Sequence, residues 1–273
     1  MSIVRSPSVQ LSFETQSDAN RGVIGLHNLV NTSNVTATSF DSSNPATNLA
    51  NPATYLDWRS LVTSEQFLTV SLNGDELVDY VGLARHNFGT ISAPLSIEGY
   101  TETDSDGPVW EELVGDFIPV SDASLLLQFE AGYYLGIRVR IQSTFIEPRC
   151  AVMYVGKLLA LQRNIYVGHT PIVYGRESRI INGMSEAGEF LGRIVLAESL
   201  SSSISLKNLT PSWYRSQLDP VISQMKETPF FYAWRPYTYP AEVAYGWVTN
   251  NPRPVNELNN GMMSISLDLG GIA

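Results

Sequence analysis

From Phe67 to Leu161 the chain alternates short apolar runs with turn-forming residues: FLTVSLN, LVDYVGLA, PLSIEGY, VWEELV, LLLQFE, YLGIRVRIQS and AVMYVGKLLAL. Strand-length runs at this spacing predict an antiparallel sandwich. In one of them Val139 and Ile141 alternate with Arg138, Arg140 and Gln142, the period of two that a strand shows when one face is buried and the other wet. The stretch DSDGP from Asp104 to Pro108 marks a turn or exposed loop between two runs. Ahead of the sandwich, Asn31–Pro52 is rich in Ser, Thr, Asn and Pro, whose turn-forming side chains predict long ordered loops rather than helices. The first twenty or so residues are polar and low in charge and read either as a flexible arm or as a strand donated to a neighbour.

The pattern changes around Gln162–Thr170, so the chain divides into an arm (1–34), a sandwich (35–161) and a second domain (162–273). In the second domain, IVYGRESRIINGMSEAGEFLGRIVLAESLSSSISL predicts strands with glycine turns. Thr210-Pro211 reads as an N-cap followed by a first-turn proline, opening a short helix through Trp213, Tyr214 and Leu218. Asp219-Pro220 repeats the signal for a second helical segment carrying Val221, Ile222 and Met225. At the C-terminus Met263, Ile265, Leu267 and Leu269 alternate with Ser264, Ser266 and Asp268, an amphipathic closing strand.

Between Pro229 and Trp247, PFFYAWRPYTYPAEVAYGW carries eight aromatic side chains. Each ring offers roughly 150–250 Å² of surface, so leaving the cluster in water forgoes several kcal/mol per ring. Phe230, Phe231, Trp234, Tyr237, Tyr239, Tyr245 and Trp247 are therefore expected to divide between the core of the second domain and subunit seams.

Composition sharpens that expectation. Charged residues make up 16% of the 273 residues, against roughly 25% in typical soluble domains, which suits a subunit whose faces are covered by neighbours. The formal net charge of -10, without any basic run interleaved with aromatics, argues against binding to a phosphate backbone. Cys150 is the only cysteine, leaving no partner for an intramolecular disulfide and no cysteine zinc site. Neither a secretory apolar region nor a stretch approaching a membrane span is visible, so synthesis in a reducing cytosol without membrane insertion is expected.

A search for catalytic constellations finds no GxSxG, P-loop, GxGxxG or HExxH, and no enzyme, cofactor or metal is expected. His27, His86 and His169 fall in different elements. Asp104 and Asp106, with Glu102, are oxygen ligands of the kind a hard cation takes, but lack the rest of a calcium loop and read as a solvated hairpin. Glu111 and Glu112 are adjacent on a strand and point to opposite faces, so they form no glycosidase pair. His86-Asn87-Phe88-Gly89 follows an apolar strand; it is either a capped turn or a place where polar groups and a ring meet a sugar, with His86, Asn87, Trp110 and Tyr133 as the candidate contacts.

Two segments resemble known families. TATSFDSSNPATNLANPATYLDWRS (Thr36–Ser60), followed by FLTVSLNG, VDYVGLARHNFGT, SIEGY, Trp110 and YLGIRVRIQS, resembles the discoidin, galactose-binding-like domain, with Trp58-Arg59 in the place of that family's tryptophan dipeptide. The resemblance covers about Val35–Leu161 and implies an eight-stranded jelly roll whose loops at one end bind glycans, lipids or proteins. The terminal cysteine pair of extracellular members is absent. FFYAWRPYTYPAEVAYGWVTNNPRPVNELNNGMMSISLDLGG (Phe230–Gly271) looks like the end of the tail-tube-like domain of distal tail and baseplate proteins of long-tailed, non-contractile bacteriophages. That resemblance implies a β-barrel or split-sandwich domain with one or two short helices, joined into a six-membered ring at the tail tip of the virion, between the tail tube protein and the tail-tip hub proteins. The expected fold is thus mainly β, a jelly-roll sandwich followed by a ring-forming domain. The expected function is a structural tail-tip subunit, with a carbohydrate-binding adhesion module contacting the host surface as the alternative.

Overall fold

The computed structural model describes residues 2–272 apart from Asp106 and Leu258. Strands β1 (Ile3–Arg5), β2 (Val23–Gly25), β3 (Val35–Ala37), β4 (Trp58–Arg59), β5 (Gln66–Ser71), β6 (Val78–His86) and β7 (Leu95–Tyr100) precede a small hairpin of β8 (Thr103–Asp104) and β9 (Gly107–Pro108). They are followed by β10 (Glu111–Phe117), β11 (Leu125–Gly132), β12 (Gly136–Ile141), β13 (Arg149–Gly156) and β14 (Leu159–Ala160). The remainder holds β15 (Arg176–Met184), β16 (Phe190–Leu209), β17 (Phe230–Ala233), β18 (Val243–Val248), β19 (Val255–Asn256) and β20 (Met263–Gly271). Short helices α1 (Pro7–Leu11) and α2 (Gln16–Ala19) lie near the N-terminus; α3 (Pro211–Trp213) and α4 (Asp219–Met225) lie in the second domain.

The molecule is mainly β and built in layers. One five-stranded sheet, β1-β11-β6-β13-β4, faces another, β10-β7-β12-β5-β3, to make the expected jelly-roll sandwich. Between them pack Leu83, Leu127, Phe129 and Met153 from the first sheet and Leu68, Ile97, Ile137 and Val139 from the second. The third sheet runs β14-β2-β17-β18-β20-β16-β15, with β19 on β20. It is open, with β14 and β15 at its two ends, so the barrel alternative for the second domain does not hold.

The first sandwich sheet is covered on both faces. Along β6, Val81 and Leu83 point into the sandwich while Tyr80 and Ala84 join a second cluster with Phe231, Val243 and Tyr245 of the third sheet. Two glycines make that contact close in a reciprocal way. A Cβ on Gly82 would stand 2.6 Å from the Phe231 ring, and a Cβ on Gly25 of the third sheet would stand 2.7 Å from the Tyr80 ring. Each sheet thus opens a hollow for the other's aromatic side chain, and the Tyr80 hydroxyl completes the fit by donating to the His27 carbonyl at 2.7 Å.

The N-terminal segment departs from both readings offered by the sequence. Residues 3–25 are neither a free arm nor a strand given to a neighbour: β1 pairs in parallel with β11 in the sandwich, and β2 pairs with β14 and β17 in the third sheet. Arg5 anchors the crossing, donating to the Gln128 side chain at 2.8 Å and to the Ala19 carbonyl at 2.8 Å.

The helical region is one continuous segment rather than two. Between α3 and α4 the turn Tyr214–Leu218 widens to π geometry, which accommodates a proline that has no N–H and whose ring crowds the preceding turn. Pro220 sits inside α4 and the helix passes through it. Thr210 occupies the N-cap position, yet its hydroxyl accepts from Gln162 Nε2 at 2.8 Å instead of capping. Tyr214, Leu218, Ile222 and Met225 of this segment cover the outer face of the third sheet.

Candidate functional sites: the aromatic run, the projecting arm and the ends of the sandwich

The density of aromatics after Pro229 follows from β17 being buried on both faces. Phe230 and Tyr232 enter the cluster under the helices, whereas Phe231 and Ala233 face the sandwich. Tyr154 of the sandwich meets Phe231 and Tyr245 edge-on, at centroid distances of 5.4 Å and 5.9 Å. Its hydroxyl donates to the Pro229 carbonyl, and that of Tyr245 to the Pro52 carbonyl. Phe231 and Tyr245 therefore hold the two domains of one chain together, while Phe230 belongs to the core of the second domain. Trp234 stacks on Tyr239 at 5.3 Å and its indole N–H donates to Glu242. Tyr237, Tyr239 and Trp247 are 59%, 42% and 40% exposed and remain at the surface.

A second feature was not visible as such in the sequence. β15 pairs only with the first half of β16, from Leu200 outward to Phe190, and β16 reaches the rest of the sheet only from Leu200 inward. Residues 176–199 consequently form a two-stranded arm that leaves the sheet, about 30 Å long at the rise of a strand. Its tip turns at Ser185–Glu189, where Ser185 N donates to the Glu189 carbonyl and Gly188 takes φ +83°. Ile181, Met184, Phe190, Leu191, Ile194 and Leu196 are all exposed along it. An isolated hairpin is marginal in water, and this one has open apolar faces.

The four candidate sugar contacts do not form one site. Gly132 lies opposite Val78 at the start of β6, which puts Tyr133 at one end of the sandwich, while His86 ends the same strand at the other. Trp110 belongs near the Tyr133 end: its ring meets Tyr100, which lies opposite Gly136. One face of Trp110 is taken by the Arg138 guanidinium at 4.1 Å, and Arg138 also covers Phe67 and pairs with Glu98 at 2.5 Å. Tyr133 is 57% exposed.

At the opposite end, His86 and Asn87 are buried and engaged with backbone. The Phe88 N–H donates to His86 Nδ1 at 3.3 Å, so Nε2 carries the proton and donates to the Ala123 carbonyl at 3.0 Å. Burial pushes this imidazole down to about 4, which keeps it neutral, and it stacks on Phe88 at 4.7 Å. Asn87 donates to the Glu147 carbonyl and accepts from Arg149 N, tying the β6 end to the loop before β13. These are the bonds of a capped turn. The nearby cleft, of about 840 Å³, is lined by residues of both domains, including Tyr55, Arg85, His86, Arg149 and Arg176.

Of the acidic hairpin, Asp104 ends β8 and Asp106 lies outside the described residues. Among the described residues, no group of three or more His, Cys, Asp and Glu side chains is arranged to hold a metal ion, and no helix is long and apolar enough to cross a membrane.

The class that these layers define is a mainly β protein carrying a jelly-roll sandwich. No protein-family model matches the chain, and no curated protein matches it. Solved structures similar to about half of it include carbohydrate-binding modules. A chitosan-binding module of a chitosanase/glucanase from Paenibacillus sp. IK-5 is 17% identical, covering 48% of this chain and 99% of that one with a TM-score of 0.42. A pectin-binding module is 14% identical, covering 48% and 91%, with a TM-score of 0.36. The family 32 module from Clostridium perfringens NanJ, solved with galactose, is 16% identical, covering 46% and 92%, also with a TM-score of 0.36.

Proposed function

We propose that this protein is a non-catalytic structural subunit that joins copies of itself through the arm 176–199. The observation that carries the reading is the outer half of β16, FLGRIVLAES, where apolar side chains fall on both faces on either side of Arg193, the pattern of a strand buried on both faces, although both faces are open in the single chain. A second copy is the fitting occupant. The arm holds three arginines and four glutamates and is close to neutral, whereas copies of a chain with net charge -10 repel one another elsewhere. The side chains with nucleophilic or acid-base chemistry at the β6 end are committed to structure: His86 is neutral and bonded through both nitrogens, and burial pushes the Cys150 thiol up to about 12. A six-membered ring at a bacteriophage tail tip, between tube and hub proteins, is the form of this reading that the resemblance of Phe230–Gly271 favours, and in that form the protein is a virion component.

Sedimentation of the intact chain, beside a variant in which residues 177–198 are replaced by an Asn-Gly turn, tests the reading. The intact chain should sediment as a closed oligomer and the shortened one as a folded monomer. An intact chain that is monomeric at every concentration ends the proposal.

A second reading concerns the sandwich, which we propose presents a saccharide site at its His86 end. The cleft there has the volume of a ligand pocket, and Tyr55, at its edge, is 80% exposed and offers a face on which a sugar ring can stack. A glycan array probed with the intact chain should give hits that Tyr55→Ala removes.

A further inference from the structure

We infer that the cleft between the two domains binds an acidic oligosaccharide, its carboxylate or phosphate groups held by Arg59, Arg85, Arg149 and Arg176. This inference rests on the saccharide reading of the sandwich and adds the charge of the ligand and the participation of the second domain.

The arrangement of these arginines is costly without an anion. Arg59 on β4 and Arg149 on β13 stand directly opposite each other in register, and like charges in that position destabilise a sheet. Arg85 joins them from β6 in a left-handed backbone with φ 56°, a conformation unfavourable for a non-glycine residue. Arg176 comes from the base of the arm and closes the group from the other domain. Yet the chain as a whole is strongly acidic and has carboxylates to spare.

Neutralisation within the chain is incomplete. Arg59 has a single contact with Asp57, at 3.8 Å. Arg85, Arg149 and Arg176 form no ion pair among the described residues. Asp57 and Asp122 also line the cleft, Asp122 accepting from Thr90 N at 2.8 Å and from the Thr90 hydroxyl at 2.6 Å, so four arginines face two carboxylates and the lining keeps an excess of positive charge. Guanidinium forks match carboxylate and phosphate geometry. Thr54, Ser121 and Ser124 add hydroxyls to the lining, Leu200 and Val243 apolar surface, and Tyr55 the stacking surface. A bare inorganic anion would use the arginines and leave the ring and the remaining volume empty; an oligosaccharide with an acidic group on its units uses all three.

Calorimetric titration of the intact chain separates the outcomes. Three probes of equal length are needed: an oligouronate, a phosphorylated oligosaccharide and an uncharged oligosaccharide. Saturable binding of either acidic probe, weakening with added salt and absent for the uncharged one, is expected, and the stronger of the two identifies carboxylate or phosphate as the anion. Arg149→Gln and Arg176→Gln should each weaken that binding about tenfold without lowering the melting temperature. Arg149→Lys, which keeps the charge and loses the fork, should fall between. Equal binding of charged and uncharged probes leaves the saccharide reading standing and overturns the charge inference. Binding of no probe overturns both, and acidic binding that survives both glutamine variants overturns the assignment to this cleft.

Discussion

The two halves of β16 are continuous in the chain and opposite in circumstance. From Leu200 inward, Leu200, Ile204, Leu206 and Leu209 are buried while serines fill the other face, the pattern of a strand with one wet side. From Ser199 outward, alternation gives way to an apolar run, and nearly every residue is exposed. The half that is buried reads as half-buried, and the half that is exposed reads as fully buried. The lesson is that a hydrophobic pattern reports the environment a strand is built for, including surroundings supplied by another molecule.

Charging the arm breaks this comparison most strongly. Ile194→Glu and Val195→Glu place a carboxylate on one face or the other, and each face that a neighbour covers would have to bury it unpaired. Association should weaken about a hundredfold or more, read by sedimentation equilibrium, while melting of the folded body stays within about 0.5 kcal/mol. If only one variant acts, only one face of the arm is covered. The converse change in the inner half is Leu206→Ala, which removes a fully buried side chain and should cost about 2–5 kcal/mol in denaturant unfolding, with the oligomer unchanged wherever the body remains folded.

Gly82→Ala extends the contrast to the domain seam. The added methyl meets the Phe231 ring and should cost about 1–3 kcal/mol, again in unfolding rather than in association.

The smallest effect is a pH dependence confined to the body. Asp79 and His86 sit near the two ends of β6 with opposite displacements. Burial pushes the Asp79 carboxyl up to about 6 although it accepts from Leu158 N at 2.7 Å. The folded state therefore holds that proton more tightly than the unfolded one, and this group's contribution is full in acid and lost as pH rises through about 6. His86, pushed down to about 4, contributes stability that is full above its unfolded value and lost as pH falls toward about 4. The two slopes oppose each other. Asp79→Asn should gain up to about 2 kcal/mol at neutral pH and leave melting temperatures that fall on acidification; His86→Gln should leave temperatures that rise between about pH 6 and 4. Neither variant should alter sedimentation at neutral pH.

Much of the sandwich was legible because its strands alternate or run apolar between clear turns, and the closing strand of the second domain was legible for the same reason. The aromatic run announced burial, but the sequence did not say that the covering surface was the chain's own sandwich. What it hid were relations between distant segments. Ile3–Arg5 is too short to carry a period, so its parallel pairing with β11 left no local mark. The widened turn before Pro220 was concealed by a start signal that reads the same at a true N-cap. The four arginines lie in WRS, ARH, PRC and GRES, stretches unrelated by spacing, and only the register of β4 with β13 and the approach of the arm gather them. His86 and Asn87 illustrate the reverse: residue types suited to sugars that the fold spends on closing a turn.

The crossing of the N-terminal segment has a practical consequence for anyone cutting the gene. Expression of residues 35–161 alone would forfeit the parallel partner of Leu126 and strip the cover from Tyr80 and Tyr154, leaving a greasy flank that invites precipitation. The sandwich and its companion sheet are best handled as one indivisible cassette.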